Sequence, residues 1–550
     1  MQDYDEAIAF LGDWGAFQRT VFFLLSVSVI PNGYVGLSMV FLADTPQHHC
    51  RLPDSLNGTT GEANLSSLLP VEEVDGEMIY SRCRRYKTPA TDALNATTRE
   101  TEPCVDGWEY STDRYISTIV TQWDLVCEDS WKGPFTTSMF FVGVFSGSFA
   151  SGHLSDRYGR KFILFATMAL QTVFSLVQVF SVSWEMFCTL YFFVGLGQIS
   201  NYVAAFILGT ELLSKSAGAV HGTLGNCLFY ALGYAIMPFL AYFIRDWRML
   251  LLAMTLPGFL YVPLWWFIPE SPRWLLSKGR VEEAEAIVQA AAKQNGITYT
   301  GVIFKNINSS TDMLSNPKHN IKRTYTYFDL VKDFNLRINT VVSCFMWIII
   351  STCYFGISLN TSNMNGDPYI NCLISAASEI VAYIFAWWLL KIAHRRMANV
   401  SMMLLSGTML LLIQLVPSAL HIVFTVLAMI GKFCITTVFA VIYIYSAELF
   451  PTVVRNMGLG ACSMASRFGS VMSPYIVYLG RFNKELPFIL MGLLMLVSVV
   501  LSCILPETHK QPLPDTIEQT QPPRCCAIKR NKVVIAENDE IPEHLNLKEF

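Results

Sequence analysis

The chain has 550 residues, of which 52% are hydrophobic and 15% are charged, and its formal net charge at pH 7 is −4. Its mean hydropathy is +0.38, which is too apolar for an ordinary soluble protein with a solvated surface. We therefore expect a protein that lies in a lipid bilayer.

Stretches long and apolar enough to cross a bilayer recur along the chain. About 20 mainly apolar residues are needed to cross roughly 30 Å of hydrocarbon. Twelve such stretches are predicted, at residues 20–42, 134–152, 162–181, 184–209, 218–243, 247–268, 339–359, 368–391, 398–418, 421–446, 454–479 and 485–505. The segment before the first, MQDYDEAIAFLGDWGAFQR, is acidic and has no basic region, which predicts a retained first span rather than a cleaved signal peptide.

Short basic segments indicate how the spans are oriented. SDRYGRK follows the second stretch, and HRR at residues 394–396 follows the eighth. Short basic loops are typical of the cytoplasmic side of a membrane. Because the number of spans is even, both termini are predicted to be cytoplasmic, and the long connection over residues 43–133 is predicted to be extracellular.

This long connection carries signals for processing outside the cell. It contains three N-x-S/T sequons and four cysteines, namely Asn57, Asn64, Asn95, Cys50, Cys83, Cys104 and Cys127. An even number of cysteines in a small extracellular segment predicts two disulfides with three possible pairings, and unpaired thiols are the alternative. The sequence therefore predicts a glycosylated, disulfide-bonded extracellular loop.

Two sequence patterns recur at one spacing. GTELLSKS after the fourth stretch parallels SAELFPTV after the tenth, and IPESPRW after the sixth parallels LPETHKQ after the twelfth. Glu448 follows Glu211 by 237 positions, and Glu507 follows Glu270 by the same number. This duplication predicts two six-span halves, over 1–268 and 339–505. A cytoplasmic linker over 269–338 and a disordered cytoplasmic tail over 506–550 complete the chain. Parallel repeats are typical of transporters whose binding site lies between the halves near the bilayer midplane.

Several segments resemble a known family. GHLSDRYGRK at 152–161 resembles the signature between spans two and three of the major facilitator superfamily. The segments at 197–211, 243–253, 265–275 and 447–458 closely resemble the organic cation/carnitine transporters of the solute carrier 22 family. The resemblance implies an all-α membrane protein with the major facilitator fold, in the plasma membrane. Within the linker, VEEAEAIVQAAAK predicts an amphipathic surface helix.

Charged residues at the predicted cytoplasmic ends of the spans form a candidate gate. Asp156 lies on a tight turn where it can meet a helix N-terminus or a cation across the two halves, in a contact that would break as the gate opens. In the family this loop braces the outward-facing state. The candidate gate residues are Asp156, Arg157, Arg160, Glu211, Glu270, Arg273, Glu448 and Arg455. Simple topology signalling by basic loops is the alternative.

One arginine stands at bilayer depth in the eleventh stretch. Between Asn456 and Gly480 the only charged side chain is Arg467. Because an arginine at a helix centre costs roughly 2.5–3.5 kcal/mol on insertion scales, it needs a counter-charge or a cavity. Two partners remain open from the residues alone: a structural pair with Glu379 in the eighth stretch, or the carboxylate of a ligand held in a two-pronged geometry.

Tyrosines from both halves favour the ligand. Aromatic rings attract a quaternary ammonium through cation–π contacts of about 0.5–2 kcal/mol each, although membrane helices also carry many aromatics as packing. The candidates are Tyr202, Tyr230, Tyr354, Tyr443 and Tyr445. Tyr443 and Tyr445 are two positions apart and cannot both face one cavity, and Tyr443 is preferred.

The resemblance assigns roles to these residues. In the family's carnitine carriers the arginine matching Arg467 binds the carboxylate of carnitine, with residues matching Asn201 and Tyr202. Aromatics matching Tyr230, Tyr354 and Tyr443 enclose the ammonium. Carriers of simple organic cations have an acidic residue at the Arg467 position, so the resemblance favours a zwitterion here.

Carnitine import in the family is driven by sodium, which prefers uncharged oxygen ligands. Asn32 is the first candidate, because it follows Pro31, which frees a backbone carbonyl, and Gln198 and Asn201 could join it. These amides could equally only hydrogen-bond between helices. Apart from sodium as coupling ion, no cofactor and no other metal site is expected.

The sequence as a whole predicts a sodium-coupled carrier of carnitine or a related zwitterion. The alternatives are a sodium-independent carrier of organic cations or of an ergothioneine-type betaine and, in a different class, a transport-dead receptor that uses residues 43–133. No enzyme is expected, because GTELLSKS only approximates a phosphate loop and follows a membrane span. In the tail Cys525 or Cys526 could be palmitoylated, and the final LKEF makes a PDZ-domain partner doubtful.

Overall fold

The structure of the protein is a computed structural model. It describes residues 7–51, 69–74, 77–87, 100–213, 225–297, 326–417, 420–509 and 513–523, together with Tyr4, His221, Ile303, Phe304 and Gln511. The three predicted sequons and both tail cysteines lie outside these described residues.

Within the described residues the predicted apolar stretches form twelve helical spans. Span 1 consists of Ala16–Val27, Ile30–Gly36 and Met39–Leu42, and span 6 of Trp247–Thr255, the 3-10 helix Leu256–Tyr261 and Leu264–Phe267. The other spans are single helices: Lys132–Tyr158 (span 2), Arg160–Val179 (3), Trp184–Leu212 (4), Asn226–Phe243 (5), Phe334–Leu359 (7), Pro368–Ile392 (8), Arg395–Leu412 (9), His421–Leu449 (10), Arg455–Tyr478 (11) and Leu486–Ile504 (12).

Local sequence signals define several helix ends. The side chains of Ser183 and Asp246 accept hydrogen bonds from backbone N–H groups in the first turns of spans 4 and 6, and Asp367 does so for span 8. Such side chains replace the missing acceptors at a helix N-terminus. Spans 2 and 3 are separated by Gly159 alone, whose φ of +106° suits glycine and reverses the chain.

Spans 2 and 11 differ from the rest in composition. Ten spans have the length and mean hydropathy of a membrane-crossing helix within the described residues, and these two do not reach that hydropathy. Both are rich in glycine and serine, as in FSGSFASG and GACSMASRFGS. They pack against each other, and Ser138 of span 2 donates a hydrogen bond to the carbonyl of Val471, 3.0 Å away. Small residues lower the hydropathy and allow two helices to approach closely.

Spans 1 and 5 cross with their backbones in contact. A Cβ atom built on Gly33 would lie 2.1 Å from the carbonyl oxygen of Tyr230, and one built on Gly233 would lie 2.1 Å from that of Ile30. Only glycine fits at such a crossing. The crossing holds Asn32 and Tyr230, both candidate site residues, on neighbouring helices.

The described residues of the loop over 43–133 form three two-stranded antiparallel sheets. Their pairs are β1 (His48–Cys50) with β6 (Trp108–Tyr110), β2 (Val71–Val74) with β3 (Glu77–Tyr80), and β4 (Arg84–Tyr86) with β5 (Thr101–Pro103). Disulfides join Cys50 to Cys104 and Cys83 to Cys127. The prediction of two disulfides is confirmed, and the structure selects one of the three pairings.

Ten short helices complete the described chain. They are Ala9–Leu11, Ile119–Gln122, Cys127–Asp129, Pro272–Ser277, Val281–Gln294, Asp329–Lys332, Asn360–Asn363, Ile413–Leu415, Leu479–Arg481 and Ile517–Gln519. The predicted amphipathic linker helix is Val281–Gln294, and it buries Ala284, Val288, Ala291 and Ala292 against a small hydrophobic cluster that includes Tyr4 and Leu11.

Asn295, just after this linker helix, fastens it to the start of span 1. Its Oδ1 accepts from the backbone N–H of Phe17 at 2.9 Å, and its Nδ2 donates to the carbonyl of Leu11 at 3.1 Å and to Oε1 of Gln18 at 2.9 Å. One amide therefore satisfies three polar groups near the first membrane helix.

The beginning of the tail is ordered, contrary to the prediction of disorder after residue 506. The hydroxyl of Tyr445 donates to the carbonyl of Pro506 at 2.6 Å, and the backbone N–H of Thr452 donates to the carbonyl of Pro514 at 2.9 Å. Nδ2 of Asn339 donates to the carbonyl of Gln521 at 3.3 Å. Polar groups at or near the ends of spans 7, 10 and 11 thus find partners in the polar tail.

Candidate functional site between the two halves

Arg467 faces the interface between the two halves. Its side chain is half-buried on span 11, and its Nε atom is buried without a hydrogen-bond partner among the described residues. The charge of Arg467 acts on the phenols of Tyr202 and Tyr230, which belong to the other half. An arginine with free hydrogen-bonding capacity at this depth is suited to an anionic ligand.

The alternative partner of Arg467 is engaged elsewhere. Glu379 on span 8 forms an ion pair with Lys432 on span 10, with Oε1 and Nζ 2.6 Å apart and both side chains fully buried. A structural pair between Arg467 and Glu379 is therefore wrong. The helix rotations bring Lys432, not Arg467, against this carboxylate.

Three of the predicted tyrosines meet at the interface. The rings of Tyr202 and Tyr230 lie edge to face with centroids 6.5 Å apart. Tyr443 of the other half is 43% exposed and lies within electrostatic range of Tyr202. The neighbouring Tyr445 is 1% exposed and bonds to Pro506, which separates it from this group. Tyr202 and Tyr230 therefore contact each other, and both Tyr443 and Arg467 of the other half lie within electrostatic range of Tyr202.

Tyr354 is more deeply buried than these three rings. Its side chain is 3% exposed, and the Nζ atom of Lys432 lies 3.8 Å from its ring centroid. The ring also stacks on Phe439, with centroids 5.1 Å apart. A cation from the protein itself thus occupies the face of the aromatic ring that was predicted to enclose the ammonium of a substrate.

The predicted sodium ligands lie together on spans 1 and 4. Nδ2 of Asn32 donates to Oδ1 of Asn201 at 3.0 Å, and Nε2 of Gln198 donates to the backbone carbonyl of Asn32 at 2.9 Å. Asn201 also donates to the carbonyl of Leu164 at 3.5 Å. The amide of Asn201, predicted to contact the substrate, is thus engaged with neighbouring helices.

A polar cavity adjoins Asn32. It lies within the first half and is small, and its lining includes Asn32, Tyr34, Gln171, Ser175 and Thr255. Oδ1 of Asn32 and the hydroxyl of Tyr34 are buried and have no hydrogen-bond partner in the described part of the chain. Uncharged oxygens with free lone pairs fit the ligand preference of a hard cation such as sodium.

The carbonyl that Pro31 frees belongs to Val27, because proline removes the bond to the residue four positions earlier. The hydroxyl of Tyr261 donates to this carbonyl at 3.2 Å. The proline therefore provides no free carbonyl as a sodium ligand beside Asn32. The remaining candidate oxygen ligands belong to side chains.

The predicted gate residues of the first half contact one another. We call the end of the spans that carries residues 43–133 the loop face, and the opposite end the linker face. At the linker face Arg160 pairs with Asp156 at 2.8 Å and with Glu211 at 3.1 Å. Glu270 accepts from the backbone N–H groups of Arg160 and Lys161. The contact that Asp156 was expected to make across the halves is replaced by an ion pair within its own half.

The second half repeats this arrangement. Arg395 pairs with Glu448 at 3.2 Å, and Glu507 accepts from the backbone N–H of Arg396. Sequence analysis missed Arg395 and Glu507 as members, although the 237-residue repeat pointed to Glu507. Arg455 donates to the carbonyl of Phe450, and Arg157 lies 5.4 Å from the ring of Tyr158. Arg273, the remaining predicted gate residue, also has an interaction partner in the structure.

Contacts between the halves cluster towards the loop face in the described part of the chain. Tyr369 of span 8 stacks on Phe41 at 5.2 Å between centroids and also lies against Tyr115 and Tyr242. Tyr115 donates to the carboxylate of Asp44 at 2.7 Å. Burial raises the pKa of Asp44, and this hydrogen bond opposes the increase.

Arg481 closes the loop face beside this aromatic cluster. From the end of span 11 it donates to the carbonyl of Cys127 at 2.8 Å and to the hydroxyl of Ser130, and Ser130 bonds to Tyr478 at 2.9 Å. Cys127 is held by its disulfide to Cys83. One arginine of the second half is thus bound to the disulfide-bonded loop of the first half.

An Arg481→Ala variant is expected to open the loop face more often. Each hydrogen bond to a charged group contributes about 1.5–3 kcal/mol, and less for an exposed arginine. We therefore expect the equilibrium constant for opening of the loop face to rise about tenfold. Ser138→Cys supplies a buried thiol under this face, and its labelling rate with a membrane-impermeant maleimide measures opening. Arg51→Ala, which removes an exposed loop arginine, is the control. Equal labelling of the introduced thiol in both variants would contradict the role of Arg481.

Comparisons with known proteins were made with the whole chain. Residues 99–518 match the family model described as "Sugar (and other) transporter". Organic cation/carnitine transporter 2 of Homo sapiens is 52% identical over 530 residues, which cover 94% of each chain. Solute carrier family 22 member 4 of Mus musculus is 50% identical over 557 residues, which cover 99% of each chain.

A solved structure shares the fold at low sequence identity. The inward open conformation of the xylose transporter XylE from E. coli aligns with a TM-score of 0.53 and 14% identity, over 93% of this chain and 98% of that chain. This likeness shows the fold, with two six-helix halves around a central site.

Proposed function

Because the chain belongs to the organic cation/carnitine transporters of solute carrier family 22, in the major facilitator superfamily, we propose that it imports carnitine or a related zwitterionic quaternary ammonium compound by sodium-coupled alternating access. It is a transporter and not an enzyme. Its proposed place is the plasma membrane, with both termini in the cytoplasm.

The guanidinium of Arg467, which has no ion pair with a described carboxylate, is the observation that supports this proposal. A guanidinium binds a carboxylate with two parallel hydrogen bonds, and a ligand carboxylate would supply the partner that its buried Nε lacks. Tyr202, Tyr230 and Tyr443 beside it offer aromatic faces to a trimethylammonium group, which has no hydrogen to donate. A bare cation would gain the aromatic contacts and be repelled by Arg467.

The distribution of contacts supports alternating access. The loop face is closed by Tyr369 and Arg481, whereas the ionic clusters of Arg160 and Arg395 at the linker face each stay within one half. With the orientation proposed here, this conformation would be the one that releases substrate into the cytoplasm. In the outward-facing state the contacts of Tyr369 and Arg481 would be broken.

Carnitine uptake into proteoliposomes, with and without a sodium gradient, tests the proposal. Arg467→Asp is expected to lower carnitine clearance by about 100-fold or more, since it removes a charge-assisted pair and adds repulsion, while uptake of tetraethylammonium survives or rises. Arg467→Lys is the matched control, because it keeps the positive charge and loses the two-pronged guanidinium geometry. Its carnitine clearance should lie between those of the unmodified protein and Arg467→Asp. Undiminished carnitine uptake by Arg467→Asp would overturn the proposal.

The same assay separates the alternatives. Carnitine uptake that does not depend on the sodium gradient would indicate a sodium-independent carrier. Faster uptake of another betaine would identify that betaine as the preferred substrate. Binding without any uptake would indicate a receptor.

Replacing Asn32 by Ala is expected to weaken sodium coupling. The variant removes the unbonded Oδ1 and the donor to Asn201, so the sodium concentration for half-maximal carnitine uptake should rise about tenfold, while sodium-independent uptake remains. Ser175→Ala, which alters the same cavity on span 3, is the control. An unchanged sodium dependence in Asn32→Ala would leave these amides as helix contacts only.

A further inference from the structure

The ion pair between Glu379 and Lys432 lies in the membrane part of the second half and is unusual in its hydrogen bonding. Nζ of Lys432 is 2.6 Å from Oε1 of Glu379, faces the ring of Tyr354 at 3.8 Å, and donates to the hydroxyl of Ser358. Both charged side chains are fully buried. The ammonium therefore has a carboxylate, an aromatic face and a hydroxyl, all in a site without solvent.

The carboxylate is less well satisfied than the ammonium. Oε1 of Glu379 lies 2.6 Å from the ammonium of Lys432, and the phenol of Tyr354 also interacts with this carboxylate. An ionised carboxylate has about four acceptor positions, and buried charges in stable structures usually fill them. These two partners leave acceptor positions unfilled, so Glu379 retains capacity for a further partner.

The site of Glu379 lies near that of Arg467. Tyr230 of the first half lies within electrostatic range of both Glu379 and Arg467. Tyr383, one helical turn after Glu379 on span 8, is in range of Glu379, Tyr202 and Tyr230. Tyr230 therefore lies within range of both a negative and a positive charge, as a site for a zwitterion requires.

From this geometry we propose that Lys432 is a tethered cation that occupies the ammonium half of the site, and that the cation of the substrate takes its place at Glu379 and Tyr354. The identity of the cargo rests on the proposed function, whereas the exchange itself concerns any small quaternary ammonium. A carboxylate and an aromatic face are the groups that recognise such ions.

Exchange of one ammonium for another has a consequence for selectivity. Glu379 keeps a counter-ion in both states, so the electrostatic cost of the exchange is confined to moving the ammonium of Lys432 away from the carboxylate. A bare cation gains only the difference between its own contacts and those of Lys432, which lowers its apparent affinity. A zwitterion gains Arg467 in addition. Lys432 therefore acts with Arg467 to favour zwitterions over simple cations.

Binding of tetramethylammonium to purified protein tests the exchange. Lys432→Ala removes the tethered cation, and we expect the dissociation constant for tetramethylammonium to fall by at least about tenfold relative to the unmodified protein. Glu379→Gln/Lys432→Ala, which removes both charges, is the matched control. Its affinity for tetramethylammonium should not exceed that of the unmodified protein. Potassium chloride at equal ionic strength controls for salt.

Protein stability supplies the second readout, because Lys432→Ala leaves a buried carboxylate unpaired. Tetramethylammonium during purification should restore monodisperse Lys432→Ala protein and raise its thermal midpoint more than that of the double variant. Equal affinities in the two variants would overturn the proposal. So would a Lys432→Ala protein that tetramethylammonium fails to rescue while the double variant purifies normally. None of these measurements uses carnitine uptake, so failure of the proposed function and failure of the exchange are separable.

Discussion

A Glu379→Gln variant is expected to lose about 3–5 kcal/mol of folding free energy, because it leaves the ammonium of Lys432 buried without a counter-charge. The pair is fully buried, so neither water nor salt can replace the missing carboxylate. The thermal midpoint of the detergent-purified protein, read by intrinsic fluorescence, measures the loss.

Two further variants show whether this loss comes from charge. Glu379→Gln/Lys432→Met removes both charges and is expected to recover most of the stability, as replacement of buried ion pairs by apolar residues often does. Glu283→Gln breaks the exposed pair with Arg280 on the linker helix and should leave the midpoint unchanged. A double variant as unstable as Glu379→Gln alone would show that packing, and not charge, is the cause.

A Gly33→Leu variant is expected to prevent assembly of spans 1 and 5. The first added carbon would lie 2.1 Å from the carbonyl oxygen of Tyr230 and 2.8 Å from the backbone nitrogen of Tyr234, and a backbone cannot turn aside as a side chain can. Overpacking costs typically about 1–3 kcal/mol, and this contact with backbone should exceed that range. Size-exclusion profiles and surface expression measure the effect.

Gly152→Leu is the control for Gly33→Leu, because it adds the same side chain to another membrane helix. A Cβ atom at Gly152 would meet nothing within 4 Å. It should give a normal monodisperse peak. Normal behaviour of both variants would mean that spans 1 and 5 are farther apart than described here.

The membrane architecture was predictable because it depends on composition and length. Twelve apolar stretches became twelve spans, and even the break in span 1 falls close to Pro31. The pairing of charges was not predictable in the same way. Arg467, Glu379 and Lys432 are all visible in the sequence as charges at bilayer depth, but which of the two cations meets the carboxylate depends on the rotation and tilt of three helices.

Lys432 was missed, although the reasoning applied to Arg467 covers it equally. A lysine inside the sequence GKFCITTVF has the same need for a partner, and an acidic residue in span 8 was already known from the sequence. The pairing of the four loop cysteines was undetermined for a different reason, since three connectivities fit the spacing and strand register decides between them. The role of Arg481 at the loop face was not predictable, because it binds a backbone carbonyl and such an acceptor has no signature in the sequence.

The attachment of the linker helix by Asn295 has a practical consequence for imaging. Three hydrogen bonds tie its amide to Phe17, Leu11 and Gln18, and the apolar face of the helix is buried, so the helix travels with the first six spans. Its exposed face, outside the detergent belt, offers an epitope for an antibody fragment. Such a fragment would serve as a rigid fiducial for particle alignment and leave the opposite six spans free to rock.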